Sequence, residues 1–273
     1  MTTKTADNKE PKKDLKPEVK VEPKKEPEKS AAKKDEFCLD VAEMAQAGLH
    51  LGQRTSRTHP QMKPYIFGVR NIIHIIDLEK TAQKMREALE FIKKLVSDKK
   101  IILFAGTKIQ IKDLVKETAQ AVDGPYVTER WLGGTFTNFA IMLKRIEHFK
   151  ELERKKAEGE LAKYTKKERL GFDKEIETLR KKFEGIKNMP RLPDAVFVCD
   201  MRKDHGAIKE ARMKNIPVIA ICDTNTDPTL VDYVIPANDD AISSVRYILE
   251  KVKRAIKSGA QDKNTTESLI SKP

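Results

Sequence analysis

The stretch Ile101-Ile-Leu-Phe-Ala105, followed directly by Gly106-Thr107-Lys108, decides the fold of this chain. Five consecutive apolar residues indicate a strand that is buried on both faces, and the amphipathic run from there to about Val122 predicts a helix. A buried strand that passes straight into a helix is typical of a parallel sheet covered by helices. The segment therefore predicts an α/β domain.

The same alternation continues on both sides of this unit. A short helix from Asp40 to Ala47 is expected to stop at Gly48 and to lead through a loop, 49–68, into a strand at Asn71–Ile76. Asp77 predicts the N-cap of a long helix, because the apolar residues after it recur every four or three positions. Further elements are expected as strands at 126–128, 195–199, 217–221 and 233–235, and as helices at 204–214 and 239–257. About five parallel strands are expected in all.

A charge-dense segment interrupts this pattern in the middle of the chain. Between Lys144 and Met189, 25 of 46 residues are charged, 15 of them basic and 10 acidic. Such a segment is too polar to share the core of the sheet, but each half carries one narrow apolar stripe at helical spacing. The stripes, broken near Gly159, predict two helices that pair as an antiparallel coiled-coil hairpin inserted into the domain.

These patterns divide the chain into five parts. Residues 1–36 are rich in Lys, Glu and Pro and are expected to form a disordered tail, because they have too few apolar side chains to offset the entropy of ordering. Residues 37–134 and 190–257 are expected to form the two parts of the α/β domain, with the helical hairpin at 135–189 between them. The polar end, 258–273, is expected to be a flexible tail.

The charge of the chain indicates what kind of partner it has. The net charge is +12, and most of it falls in the first part of the α/β domain and in the hairpin. A basic surface of this kind favours a nucleic acid as partner, the alternative being an ordinary mixed-charge surface. Three cysteines without a CxxC pair indicate free thiols in a reducing cytoplasm. No apolar run approaches the roughly 18 residues of a membrane span, and no secretory signal is expected.

Motifs for nucleotide binding and covalent catalysis are missing. The sequence has no GxGxxG, P-loop, GxSxG or HExxH pattern. Gly106-Thr107-Lys108 supplies one glycine and one lysine after a strand, which fits a tight turn with Thr107 as helix cap, a contact to an RNA phosphate, or nucleotide hydrolysis. The sequence favours a non-enzymatic protein. The competing hypothesis is a phosphotransferase or hydrolase that uses Lys108, Asp200 and Asp223.

Acidic residues follow two of the predicted strands. Asp200 and Asp223 each come just after a cysteine, and their carboxylates meet at the carboxyl edge of the sheet if those strands are neighbours. Together with Asp227 they are expected to cap turns of the backbone. A Mg²⁺ ion held by these oxygens, or zinc held by Cys199 and Cys222, are the alternatives. No metal and no cofactor is predicted.

Basic, aromatic and glycine residues come together in two segments, 54–70 and 130–138. Arginine offers a forked donor to phosphate, and adjacent glycines let another backbone approach closely. Trp131 either stacks on a base or anchors the root of the hairpin in the domain. The predicted RNA contacts are Arg54, Arg57, Lys63, Arg70, Lys108, Arg130, Trp131, Gly133, Gly134 and Asn138.

Several motifs, in order along the chain, resemble those of one known family. They include Gly48-Leu-His-Leu-Gly52, Met62-Lys-Pro-Tyr-Ile-Phe-Gly-Val-Arg70, Arg130-Trp-Leu-Gly-Gly134, Asp223-Thr-Asn-Thr-Asp-Pro228 and Ile235-Pro-Ala-Asn-Asp-Asp-Ala241. From about Cys38 to Lys257 the chain resembles the bacterial ribosomal protein S2 family. It departs from the family pattern at Thr58-His59, where the family has an aromatic residue and Asn, and at 189–191, where the family tends to have paired glycines.

The resemblance implies a fold and a role. The implied fold is a flavodoxin-like three-layer α/β/α domain of five parallel strands with a coiled-coil hairpin inserted. The implied role is structural and non-catalytic, in the small ribosomal subunit and hence in the cytoplasm. The implied partners are small-subunit ribosomal RNA, neighbouring small-subunit proteins and the messenger-binding ribosomal protein S1, without a membrane.

Overall fold

The computed structural model describes residues 37–270, apart from the side chains of Ala162 and of residues 262–270. The predicted tail at 1–36 lies outside the described residues, as do residues 271–273. No helix within the described range combines the length and the apolar character that crossing a bilayer requires.

Helices and strands alternate along the described range. In chain order they are α1 (Val41–Gln46), β1 (Leu51–Arg54), β2 (Ile66–Arg70), β3 (Ile73–Ile76), α2 (Leu78–Ser97), β4 (Ile102–Ala105), α3 (Lys112–Gln120), β5 (Tyr126–Val127), α4 (Phe139–Ala157), α5 (Lys166–Phe183), β6 (Ala195–Val198), α6 (His205–Met213), β7 (Val218–Cys222), β8 (Tyr233–Pro236) and α7 (Ile242–Ile270). Short 3-10 helices lie at Thr55–Arg57, Pro60–Tyr65, Glu160–Lys163, Glu184–Ile186 and Pro228–Leu230. The last helix thus continues beyond the end predicted near Lys257.

Five strands form one parallel sheet, as the sequence predicts. Their order is β5-β4-β6-β7-β8. The register aligns Leu103 of β4 with Val196 of β6, and Val196 with Val218 of β7. These three strands are buried along their whole length, which is why their sequences are runs of apolar residues without alternation.

The two faces of the sheet bury two separate apolar clusters. Ile102 and Phe104 of β4 pack into a cluster with residues of α2, α3 and α7. Leu103 and Ala105 pack into the other cluster, with residues of α4, α5 and α6. Successive side chains of a strand point to opposite faces, so one short strand supplies both layers. Helices therefore flank the sheet on both sides.

Three strands form a second, smaller sheet that the sequence interpretation missed. β1, β3 and β2 are antiparallel, with β3 in the middle. The prediction of a loop at 49–68 was wrong, because that segment contains β1 and most of β2. The strand predicted at Asn71–Ile76 is real from Ile73 onward, but it lies in this small sheet and not in the parallel one.

The two central helices form the predicted pair. The apolar stripe of α4, Met142, Ile146, Phe149 and Leu152, is buried. Ion pairs join the two helices, from Arg180 to Glu153 at 2.8 Å and from Lys156 to Asp173 at 2.6 Å. The residue that comes earlier in α4 pairs with the one that comes later in α5, as expected when the helices run antiparallel. Thr165 and Glu168 form a capping box that begins α5.

Candidate nucleic-acid interface

The segment between β5 and α4 carries half of the predicted contact residues, and one buried carboxylate holds it in place. Glu210 of α6 accepts hydrogen bonds from the backbone N–H groups of Gly134, Phe136 and Thr137 at 2.8, 2.9 and 3.1 Å. It also accepts from Trp131 Nε1 at 3.1 Å. Burial acts to raise the pKa of Glu210, but these donors outweigh it and hold the pKa below its ordinary value.

Trp131 lies against the α/β domain. Its ring meets the ring of Phe136 edge to face, with 4.9 Å between the centroids. A Cβ added to Gly206 would come within 3.1 Å of Trp131 Cδ1, so α6 approaches the indole closely. Together with the bond to Glu210, these contacts favour the alternative in which Trp131 anchors the root of the hairpin. Base stacking by the remaining exposed part of the ring stays a prediction.

A basic groove lies between this segment and α5. It encloses about 370 Å³ and is lined on one side by Glu129, Arg130, Trp131 and Gly133 and on the other by Lys181 and Lys182. Its one carboxylate, Glu129, is paired with Lys112 at 3.1 Å, so the groove is basic overall. Lys181 is paired with Glu177 at 2.8 Å. Arg130 is exposed, and neither it nor Lys182 forms an ion pair with another described residue. The groove thus brings together predicted contacts from the loop with lysines from the hairpin.

The glycines and the asparagine of this segment differ in what they do. Gly134 has φ +90, a left-handed backbone that requires glycine here. A Cβ on Gly133 would meet nothing within 4 Å, so packing does not explain that glycine. Asn138 is exposed and stands at the N-terminus of α4 without a side-chain capping bond. Gly133 and Asn138 are therefore both accessible, and Gly133 lines the groove.

The small sheet and its 3-10 helices carry the other predicted cations. Arg54, Arg57, Lys63 and Arg70 are all exposed, and none forms an ion pair with another described residue. Arg54 and Arg70 stand on the two outer strands, and each is aligned with Ile73 of the central strand. No acidic residue occurs between Gly48 and Ile76. We call this stretch, Gly48–Ile76, the basic sheet.

The basic sheet is fixed to the carboxyl edge of the parallel sheet. Thr224, just after β7, accepts a hydrogen bond from Gln53 N through Oγ1 at 2.9 Å and from His59 N through its carbonyl at 2.8 Å. A Cβ on Gly52 would come within 2.6 Å of Thr224 Cγ2, so only glycine permits this approach. The edge at which α/β proteins usually bind ligands is thus occupied by the chain itself.

Lys108 is placed differently from the other predicted contacts. Its side chain is buried, and Nζ lies 2.5 Å from Asp240 Oδ1, 3.4 Å from Asp239 Oδ1 and 3.5 Å from Asp200 Oδ2. Burial acts to lower the pKa of Lys108, but these carboxylates outweigh it and raise the pKa. A phosphate contact would require the ammonium to leave them. Lys108 is therefore better placed to neutralise the acidic cluster than to meet RNA.

The segment after β4 is a loop and not the start of a helix. α3 begins only at Lys112, and Ile111 occupies its N-cap position without a side-chain bond. The prediction that Thr107 caps this helix is thus wrong, because Thr107 lies five residues before Lys112. The Thr107 N–H instead donates to Asp204 Oδ2 at 3.2 Å. Burial raises the pKa of Asp204 to about 6. With this N–H already bonded and Lys108 paired, the loop offers little to a free phosphate.

The acidic residues mostly bind the backbone, as the capping interpretation predicts. Asp200 accepts from the N–H groups of Arg202 and Lys203 at 2.8 and 2.9 Å, and Asp227 accepts from Thr229 N at 2.9 Å. Asp223 accepts from Thr224 N at 2.6 Å. Asp223 forms an acidic cluster with two residues that the sequence interpretation did not single out, Asp239 and Asp240.

The ammonium group of Lys108 already supplies a positive charge to this acidic cluster. Ligand oxygens of Asp223, Asp239 and Asp240 lie within 4.8 Å of one another, and the Lys108 ammonium contacts two of the three residues. Burial, followed by the charges of Asp223 and Asp200, raises the pKa of Asp239 to about 7. Partial protonation and one buried lysine thus limit the repulsion between these carboxylates.

The zinc alternative does not fit the cysteines. Cys199 and Cys222 pack into the clusters on opposite faces of the sheet. Burial raises the pKa of both thiols, which disfavours the thiolate that binds zinc.

Comparison with known proteins places the chain in a family. The model of the family described as Ribosomal protein S2 matches residues 44–259. A protein of Roseiflexus sp. (strain RS-1), named small ribosomal subunit protein uS2, is 49% identical over 231 residues, covering 85% of this chain and 87% of that protein. A protein of the same name from Roseiflexus castenholzii is 48% identical over the same coverage. The chain therefore belongs to the ribosomal protein S2 family.

Proposed function

We propose that the chain binds small-subunit ribosomal RNA through two surfaces, the basic sheet and the basic groove. The S2 family is non-enzymatic, and its members are structural constituents of the ribosome, which works in the cytoplasm. The observation that carries the proposal is the basic sheet, in which four exposed cations stand without any acidic residue in the same stretch. Unpaired cations of this kind are available to phosphates.

In the basic sheet, arginine chemistry supports contacts to phosphate. Arg54 and Arg70 flank Ile73 on neighbouring strands, so their Cα atoms lie about 10 Å apart. That spacing suits two phosphates of a folded RNA strand. Arg57 and Lys63 lie on the two 3-10 helices beside the strands. All four are proposed to bind phosphate oxygens, while loops and short strands follow an irregular RNA shape.

In the basic groove, the root of the hairpin supports a second contact. Arg130, Lys181 and Lys182 provide the charge, and Gly133, on which a Cβ would meet nothing within 4 Å, leaves room for a sugar–phosphate backbone. Gly134 and the exposed Asn138, which follow in the same segment, are proposed as further contacts. The cations at the tip of the hairpin, Lys163, Lys166, Lys167 and Arg169, extend this surface. We leave Lys108 out of the interface because it is buried among carboxylates.

Other parts of the proposal rest on the resemblance and on topology. Docking of the messenger-binding ribosomal protein S1 and contacts with neighbouring small-subunit proteins are proposed from the family resemblance. The flavodoxin-like assignment is supported by the strand order, which reads 2-1-3-4-5 when counted from β4. The five-part division of the chain and the coiled-coil geometry of α4 and α5 also remain predictions.

Fractionation of a cell lysate tests this proposal. The tagged protein is expected to sediment with small ribosomal subunits on a sucrose gradient and to leave them when the RNA is digested. A protein that stays at the top of the gradient in every condition would refute the proposal. Tight binding or turnover of a nucleotide by the purified protein would favour an enzyme instead.

A further inference from the structure

The β2–β3 hairpin ends in a turn that does not suit its own sequence. Arg70 is paired with Ile73, so the loop has only two residues, Asn71 and Ile72. Their φ angles are +48 and +69, and positive values at both positions are the signature of a type I′ turn. Asparagine tolerates this backbone, but a β-branched residue does not, and Asn-Gly is the sequence that such turns favour. Ile72 is therefore strained.

Packing within the described chain does not explain this strain. The side chain of Ile72 is 69% exposed, so its apolar surface is not spent on the core. Two further apolar side chains on the same hairpin, Phe67 and Val69, are 80% and 57% exposed. Because Ile72 is both strained and exposed, glycine at position 72 would give a more stable fold. Such outliers are kept where the side chain has a functional contact.

The surroundings of the tip indicate the chemistry of the partner. Arg54 and Arg70 stand on either side of Ile73, next to the turn, and the nearest residues along the chain include no carboxylate. A Cβ on Gly68 would meet nothing within 4 Å, so the surface of β2 is open two residues before Arg70. The partner must offer negative charge and a flat apolar face within a few ångströms of each other. An unstacked nucleotide does so, with its base or sugar beside two phosphates.

We propose that the tip of this hairpin, Arg70–Ile73 together with Arg54, contacts an unstacked nucleotide of small-subunit RNA. Ile72 packs on the base or the sugar, and the two arginines bind the flanking phosphates. This inference rests on the proposed function and adds to it a contact whose strength does not depend on salt. It also gives a reason for the strained turn, because glycine at position 72 would remove the contact.

Ile72→Gly provides the test, because stability and binding are expected to change in opposite directions. Relief of the left-handed strain is expected to raise Tm by about 2–4 °C. The affinity for small subunits depleted of this protein is expected to fall about tenfold, since a half-buried isoleucine contributes roughly that factor. The salt dependence of binding should not change, because no charge is lost. Met213→Ala, which removes another exposed apolar side chain on α6, is the matched control and should bind normally.

The outcomes separate this inference from the proposed function. If the unaltered protein does not bind depleted subunits, both fail. If it binds and Ile72→Gly binds equally well, only the contact by the tip is refuted. A photo-crosslinking amino acid at position 72 identifies the partner: an adduct that ribonuclease removes supports RNA, whereas an adduct to a protein overturns the inference.

Discussion

At the scale of single residues, Glu210 decides how the hairpin is joined to the sheet. One buried carboxylate accepts hydrogen bonds from four residues of the segment that enters α4, and three of these bonds come from backbone N–H groups. Backbone N–H groups near a helix N-terminus form a site that favours negative charge. Glu210 thus ties the segment that enters α4, including Trp131 of the basic groove, to α6.

Glu210→Gln is expected to lower the free energy of unfolding by about 2–3 kcal/mol at pH 7, because an amide NH₂ would face N–H donors. The pKa of Glu210 is lowered by folding, so its stabilisation is complete above the ordinary value near 4.5 and is lost as the pH falls through the folded value. Urea unfolding at pH 7 and pH 3.5 checks this, and the difference between variant and parent should shrink at the lower pH.

Glu177→Gln is the control for this measurement, because Glu177 is exposed on α5 and, among the described residues, forms an ion pair with Lys181 alone. It should change stability by well under 1 kcal/mol at either pH. Equal losses for the two variants would contradict the role assigned to Glu210.

Glu210 also shows why the sequence interpretation missed part of the site. The helix containing it was predicted, but the carboxylate was not singled out. A signal was present, since Glu210 lies three residues after Ala207 and next to Ala211, on the buried face of α6. A charged residue on an apolar helix face needs a partner. Which donors surround it depends on a loop more than 70 residues away, and spacing along the chain does not reveal that.

At the scale of elements, the sequence pattern predicted the strands that are buried on both faces and the helix with a regular apolar stripe. It missed the short strands of the small sheet, which are partly exposed. β4, β6 and β7 are apolar throughout, and the stripe on α4 has helical spacing, so these elements could be predicted. β1, with the sequence LGQR, and β2, with IFGVR, are short, contain glycine and are partly exposed. β1 is held in addition by a residue far away in the sequence, since Gln53 N donates to Thr224 Oγ1.

The basic groove gives a prediction at the same scale. Arg130→Ala and Lys182→Ala each remove one unpaired cation from opposite walls of the groove. Each is expected to weaken binding to depleted small subunits about three- to tenfold without lowering Tm, because a phosphate contact is lost while packing is kept. Binding is measured by co-sedimentation over a range of protein concentrations.

Arg254→Ala is the matched control for the groove, because Arg254 is an exposed arginine on α7, which packs on the other face of the sheet. It should bind like the parent. If all three variants bind equally well, the groove is not part of the interface.

At the scale of the whole molecule, the edge of the parallel sheet that usually binds a ligand is occupied by other residues of the chain. The carboxyl edge of the parallel sheet is covered by the basic sheet, and Lys108 pairs with Asp239 and Asp240 of the acidic cluster there. A cleft of about 420 Å³ remains there, but it is lined by charges of both signs. The cations proposed to bind RNA lie on the basic sheet and along the hairpin, where a large polyanion can reach them, and Arg57 of the basic sheet also lines this cleft.

The salt dependence of binding tests this account most directly. The affinity for depleted small subunits is measured from about 50 to 300 mM KCl at fixed Mg²⁺, for the parent and for the double variant Arg54→Ala, Arg70→Ala. Contacts from six cations without an ion pair among the described residues, Arg54, Arg57, Lys63, Arg70, Arg130 and Lys182, predict a slope of log affinity against log salt of about −4.2 to −5.4. The double variant should be shallower by about 1.4 to 1.8. A parent slope near zero, or equal slopes for both proteins, would contradict the claim that these cations bind RNA phosphates.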